Sequence, residues 1–147
     1  MIGLNTAEFW SKVSKGYIQA RYISPFSIIL HAQGIYPKIG KGVWIGHWTV
    51  IDGSQGLEIG VSSDISCGVH IYSHSTALRG TLGKEKETGS VKVGDNVFIG
   101  PNSVISMGCQ IGEHAIIAPL SYLDKNTIVE PYSFWAGIPA TLKKRIS

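Results

Sequence analysis

The chain has 147 residues, of which 44% are apolar and 16% charged, and 13 Lys and Arg against 10 Asp and Glu give a formal charge of +3. That balance excludes a disordered chain, suits one domain with a real core, and sets up too weak and scattered a field for nucleic acid. Cys67 and Cys109 have no metal-ligand spacing and no secretory signal precedes them, so a cytoplasmic location is the expectation. The longest apolar run, Phe26 to Leu30, is far too short to cross a bilayer.

Residues 1–38 differ in pattern from the rest. Asn5-Thr6-Ala7-Glu8 reads as a capping box, and Phe9, Trp10, Val13, Tyr17 and Ala20 then share one helical face until Pro25 stops it. The expectation is a helical cap over the open end of the fold that follows, since exposed strand edges must be covered; membrane contact is not expected.

From Ile39 onward an aliphatic residue returns every six positions: Ile39, Ile45, Ile51; Ile59, Ile65, Ile71; then Val93, Ile99, Ile105, Ile111, Ile117, Leu123 and Val129. Four residues after each comes a second series, Val43 and Thr49 through Ser75 and Val97 to Ser133, small or β-branched at every place but Gln55. Glycine follows the aliphatic at 40, 46, 60, 94, 100 and 112, where it is expected to relieve the backbone at the bend. A period of six matches neither a helix nor one long strand. It matches a short strand and a corner, three of which return the chain to its start one coil higher, so that stacked inward side chains form a continuous core. The expected fold is all-β, a solenoid over residues 39–140, with a basic tail at 141–147.

Two breaks interrupt the phase. Two extra residues between Ile51 and Ile59 predict a small bulge at a corner, and the spacing from Ile71 to Val93 is 22 residues, four beyond three repeats. Residues 77–92 carry glycines and charges without an inward pattern and are expected as an extruded loop, a usual place for function on a rigid scaffold.

The repeats, with VSSDISCGVHIYSHST (61–76), VGDNVFIGPNSVISMGCQIG (93–112) and WAGIPA (135–140), resemble the hexapeptide-repeat acyltransferases, in particular bacterial sugar O- and N-acetyltransferases. The resemblance implies a left-handed parallel β-helix, acetyl-coenzyme A as co-substrate, no metal, and a homotrimer with active sites between subunits. It implies His74 as the general base, a role that suits a group titrating near neutral pH. His70, outward on the preceding strand, and Arg79 in the loop are candidates for the acceptor, a sugar or nucleotide sugar of surface-polysaccharide synthesis.

Carried over by position, Gly100, Asn102 and Ala118 would meet coenzyme A through backbone amides, with Lys125, Lys143 and Lys144 near its phosphates. Pro101 and Pro119 cannot donate, which leaves the Gly100 amide or Asn102 to steady an oxyanion. His31, His47 and His114 read as structural, Trp135 as a cap or stacking face, and Cys109 as core. Asp52, Glu58 and Asp64 are carboxylates in nearby coils. Competing readings are N-acetylation of an amino sugar, a non-enzymatic trimeric scaffold, and a zinc γ-type carbonic anhydrase using His70 and His74.

Overall fold

The computed structural model describes residues 15–32 and 34–146. Its strands follow one another coil by coil. The first coil contains β1 (Tyr22–Ile23), β2 (Ile28–Leu30) and β3 (Lys38–Ile39), the second β4 (Trp44–Ile45), β5 (Val50–Asp52) and β6 (Leu57–Ile59). The third begins with β7 (Asp64–Ile65) and β8 (His70–Ile71). It is interrupted by β9 (His74–Ser75), helix α1 (Ala77–Leu82) and β10 (Glu87–Thr88), and closes with β11 (Val91–Val93). Next come β12 (Phe98–Ile99), β13 (Val104–Ile105) and β14 (Gln110–Ile111), then β15 (Ile116–Ile117), β16 (Tyr122–Leu123) and β17 (Ile128–Val129). β18 (Ser133–Gly137) starts a last side and β19 (Ala140–Arg145) folds back antiparallel on it.

Every third strand pairs in parallel with the one a coil away, giving three sheets: β1-β4-β7-β12-β15-β18, β2-β5-β8-β13-β16 and β3-β6-β11-β14-β17. The fold is the solenoid expected from the repeats, the left-handed parallel β-helix that the family resemblance implies. Pairing sets the aliphatics in three columns, Ile39/Ile59/Val93/Ile111/Val129, Ile23/Ile45/Ile65/Ile99/Ile117 and Ile29/Ile51/Ile71/Ile105/Leu123. Except for the half-buried Ile23, each of these side chains is buried, and burial of each contributes about 1.5–3 kcal/mol.

Four expectations are corrected. The solenoid starts some twenty residues before Ile39: Ile18 bridges Ile39, β1 pairs with β4 and β2 with β5, so residues 18–30 are strand and corner. The capping box and its face as far as Val13 lie outside the described residues. The two extra residues fall between Ile51 and Leu57, at the corner as expected. Leu57 takes the inward place two ahead of Ile59 that Val43 and Thr49 take before Ile45 and Ile51, and pairs with Val91, fully buried two ahead of Val93. Val91 and Lys92 thus belong to the solenoid rather than to the extruded loop. At the next corner Ser73, not Ser75, is the buried small residue. Finally, residues 140–145 form β19 rather than a tail.

Glycine also acts differently from expectation. The left-handed backbone falls three residues after the column aliphatics other than Ile23, Ile29, Ile51 and Ile71, at Gly42, Gly68 and Gly108 but also at Asn96, Asn102 and Asn126. The glycines directly after the aliphatics instead let one coil lie on the next: a Cβ on Gly112 would stand 2.5 Å from the Pro131 nitrogen and 2.8 Å from its Cα. Gly112→Ala is therefore expected to destabilise the protein by about 1–3 kcal/mol, seen as a lowered Tm with the denaturant slope unchanged.

Candidate active site

The site grows from the corner that follows the middle column. There Ile51 and Ile71 are paired neighbours, so the residues just after them, Asp52 and the segment Tyr72–His74, occupy one corner on successive coils. Asp52 is 1% exposed. The Ser54 amide donates to its Oδ1 at 2.9 Å, and the Ser73 amide donates to its Oδ2 at 3.2 Å. The same Oδ2 accepts the Nδ1 hydrogen of His74 at 2.6 Å. Burial pushes the Asp52 carboxyl up, but the hydrogen bonds from Ser54, Ser73 and His74 outweigh it and hold the group below its ordinary value.

A carboxylate can only accept, so His74 carries a hydrogen on Nδ1, and in the neutral ring the lone pair is then on Nε2. The His74 side chain is 25% exposed, enough to reach a ligand. A base oriented by a buried acid is the geometry for removing a proton from a weakly acidic hydroxyl. Of the three carboxylates that the sequence offers in nearby coils, Asp52, Glu58 and Asp64, Asp52 is the one bonded to His74. The signal was present: it is an acid placed directly after a column aliphatic, at the start of the first phase break.

β9 continues from His74 into the excursion and pairs antiparallel with β10, His74 opposite Thr88 and Ser75 opposite Glu87. Residues 76–86, with α1 and the exposed Arg79 on it, thus leave and return beside the histidine. Glu87 is tied in turn to Lys125 by an ion pair of 2.7 Å, which raises the Lys125 pKa. His70 is half-buried between Val50 and Val104, and its Nδ1 shares a hydrogen bond of 2.8 Å with the Tyr72 hydroxyl.

The three backbone candidates are arranged otherwise than expected. The amide of Gly100 donates to Ile117 O, that of Asn102 to Cys67 O and that of Ala118 to Trp135 O, at 2.8, 3.0 and 2.9 Å. All three are engaged between coils, so neither Gly100 nor Asn102 has a free amide for an oxyanion. The Asn102 carboxamide oxygen lies where a Cβ of Gly68 would be, 2.2 Å from that point. Lys143 and Lys144 are exposed on β19, Lys143 donating to Thr141 Oγ1 and Lys144 lying over the Phe134 ring. Cys109 is buried and Cys67 exposed. Hollows of about 600 and 480 Å³ beside Tyr17, Lys38 and Glu58 contain neither His74 nor Asp52.

Among the described residues no three His, Cys, Asp or Glu side chains are grouped to hold a metal, and no helix is long and apolar enough to cross a membrane.

Residues 90–125 match the family model for the bacterial transferase hexapeptide (six repeats). This is a hexapeptide-repeat protein, and its solenoid carries that repeat on both sides of the matched segment. A serine acetyltransferase of Staphylococcus epidermidis is 34% identical over 134 residues, 90% of this chain and 58% of the relative. The chain thus spans under two thirds of the length of the curated relatives it matches. Among solved structures, a hexapeptide-repeat acetyltransferase of Vibrio cholerae complexed with acetyl-coenzyme A has a TM-score of 0.74 at 24% identity, covering 98% of this chain and 79% of that one. A maltose O-acetyltransferase of Clostridium difficile has a TM-score of 0.72 at 21% identity, covering 97% and 78%. Both show the same fold.

The depressed Asp52 pKa sets a pH signature. Stability from its hydrogen bonds is present in full above the ordinary value of 3.8 and is lost as pH falls through the lowered folded value. Asp52→Asn should therefore lower Tm relative to wild type at neutral pH, with the gap closing in strongly acid buffer, as followed by circular dichroism.

Proposed function

We propose that the chain is an acetyl-coenzyme A-dependent sugar O-acetyltransferase, with His74 as general base and Asp52 as its positioning residue. The observation that carries this reading is the 2.6 Å bond from His74 Nδ1 to a buried carboxylate, which leaves Nε2 directed to other work. An acceptor hydroxyl gives its proton to Nε2 as its oxygen attacks the thioester carbonyl carbon. The C–S bond then breaks, and the proton passes from Nε2 to the departing sulfur, yielding an ester and the free thiol. An amine with a low pKa needs less help from a base, so the dyad favours a hydroxyl over an amino group.

The relatives support the donor and the kind of acceptor: one is named a serine acetyltransferase, one structure is complexed with acetyl-coenzyme A, and one is named a maltose O-acetyltransferase. Serine and maltose both offer hydroxyls. Lys143 and Lys144 stand exposed as point charges suited to the donor's phosphates. Lys125 would have to leave Glu87 to join them. With their amides engaged and Gly100 and Ala118 buried, the exposed Asn102 carboxamide is the group of these three that would meet the donor. His70 and Arg79 flank His74 along the chain as acceptor contacts. The reading includes a homotrimer with sites between copies, a soluble cytoplasmic protein, and an acceptor from surface-polysaccharide synthesis.

Thiol release from acetyl-coenzyme A, assayed against neutral hexosides, amino sugars, a nucleotide sugar and serine, tests it. Turnover with a sugar hydroxyl is expected, falling by about 10²–10⁴ in His74→Ala while calorimetric binding of acetyl-coenzyme A persists. Turnover only with serine or only with amino sugars would replace the acceptor class, and no binding of acetyl-coenzyme A would overturn the reading.

A further inference from the structure

Phe26 and Trp48 are the two most exposed aromatic side chains among the described residues, at 57% and 66%; the others in the exposed class reach 41% at most. They lie one coil apart on the corner joining the first sheet to the second, just after β1 and β4. Their rings are stacked, with centroids 5.2 Å apart and planes 28° from parallel. His47 closes the edge of Phe26 at 88°, its Nδ1 bonded to the fully buried Ser24 hydroxyl. That bond holds the ring in place and turns Nε2 to the exposed side.

Trp48 has φ 61, the left-handed corner conformation that Gly42, Gly68 and Gly108 adopt elsewhere and that Leu120, His114 and Tyr132 share, so the corner itself directs its side chain outward. One coil above, the same corner holds Cys67 and Gly68, which has no side chain, so the Trp48 ring stays open on the side toward the later coils. Further along this corner are Leu120 and Asn102, the latter a donor candidate in the proposed reading.

We propose that Trp48 and Phe26 form the platform on which the acceptor's pyranose ring stacks, with His47 Nε2 meeting one of its hydroxyls. The inference deepens the transferase reading and rests on it for the acceptor's role. A flat pair of exposed rings with a polar atom at the rim matches a sugar, which presents axial C–H groups on its face and hydroxyls around its edge. A purely aliphatic ligand would leave His47 unpaired, and a phosphate would find no cation among the three side chains.

The test titrates the full chain with methyl glucoside, methyl galactoside and methyl N-acetylglucosaminide, read by the heat of binding, with light scattering and calorimetry on acetyl-coenzyme A alongside. A saturable change is expected with at least one glycoside. It should vanish in Trp48→Ala and need about fivefold more sugar in Phe26→Ala, with donor binding and oligomeric state unchanged. Absence of any saturable, Trp48-dependent change would overturn the platform. So would a shift in oligomeric state in Trp48→Ala, which would assign the rings to a second copy of the chain. Glycoside binding at Trp48 in a protein that fails to bind acetyl-coenzyme A would leave the platform standing and remove the transfer reading alone.

Discussion

One side of a coil has room for a single large and a single small inward side chain, and neither leaves water until another coil lies above it in register. The stacking of paired coils is therefore the constraint on which everything else rests. It explains the aliphatic after aliphatic, the serines and valines four places later, and the glycines over which the next coil passes at closer than a Cβ would allow. It also makes the backbone amides scarce as ligands. At Gly100, Asn102 and Ala118 the groups that would greet a bound molecule already join one coil to the next.

The site is a local departure from that rule, held by the same stacking. Asp52 stands directly after Ile51, where glycine follows Ile39, Ile45 and Ile59, and after a corner longer by two residues the chain regains its phase at Leu57 and Ile59. The carboxylate is then roofed by the next coil, which supplies the Ser73 amide and the His74 ring in one turn. Burial alone would neutralise such an acid; the converging donors keep it charged and make it a fixed acceptor. The excursion that follows is fastened at both ends, by β9 against β10 and by Glu87 on Lys125.

Most of the solenoid was legible because a period of six, once found, sets strand, corner and inward face together. The first coil was harder to read. Ile23 and Ile29 hold the six-residue step, but ten residues separate Ile29 from Ile39, and Tyr17 and Ala20 mimic a helical face nearby. His74 was legible from its place before the excursion. Asp52 required register: the 22 residues to His74 are one coil of 18, the two residues inserted between Ile51 and Leu57, and the two steps from Tyr72, which follows Ile71 as Asp52 follows Ile51. The bond from Lys125 to Glu87 spans 38 residues and a segment without period, so no pattern in the sequence announces it. The engaged amides are likewise invisible in sequence, since they depend on which carbonyl lies one coil above.

The central claim is that the coil stack binds the His74 Nδ1 hydrogen to Asp52, so that the neutral ring carries its lone pair on Nε2. Nitrogen NMR of the histidine-labelled protein in neutral buffer reads this directly, with Asp52→Asn as the reference. The account predicts that the His74 Nδ1 resonance is of the protonated type and Nε2 of the bare type, and that this preference weakens in the variant. A His74 ring carrying its hydrogen on Nε2, or one that exchanges freely between the two forms in the wild-type protein, would contradict it.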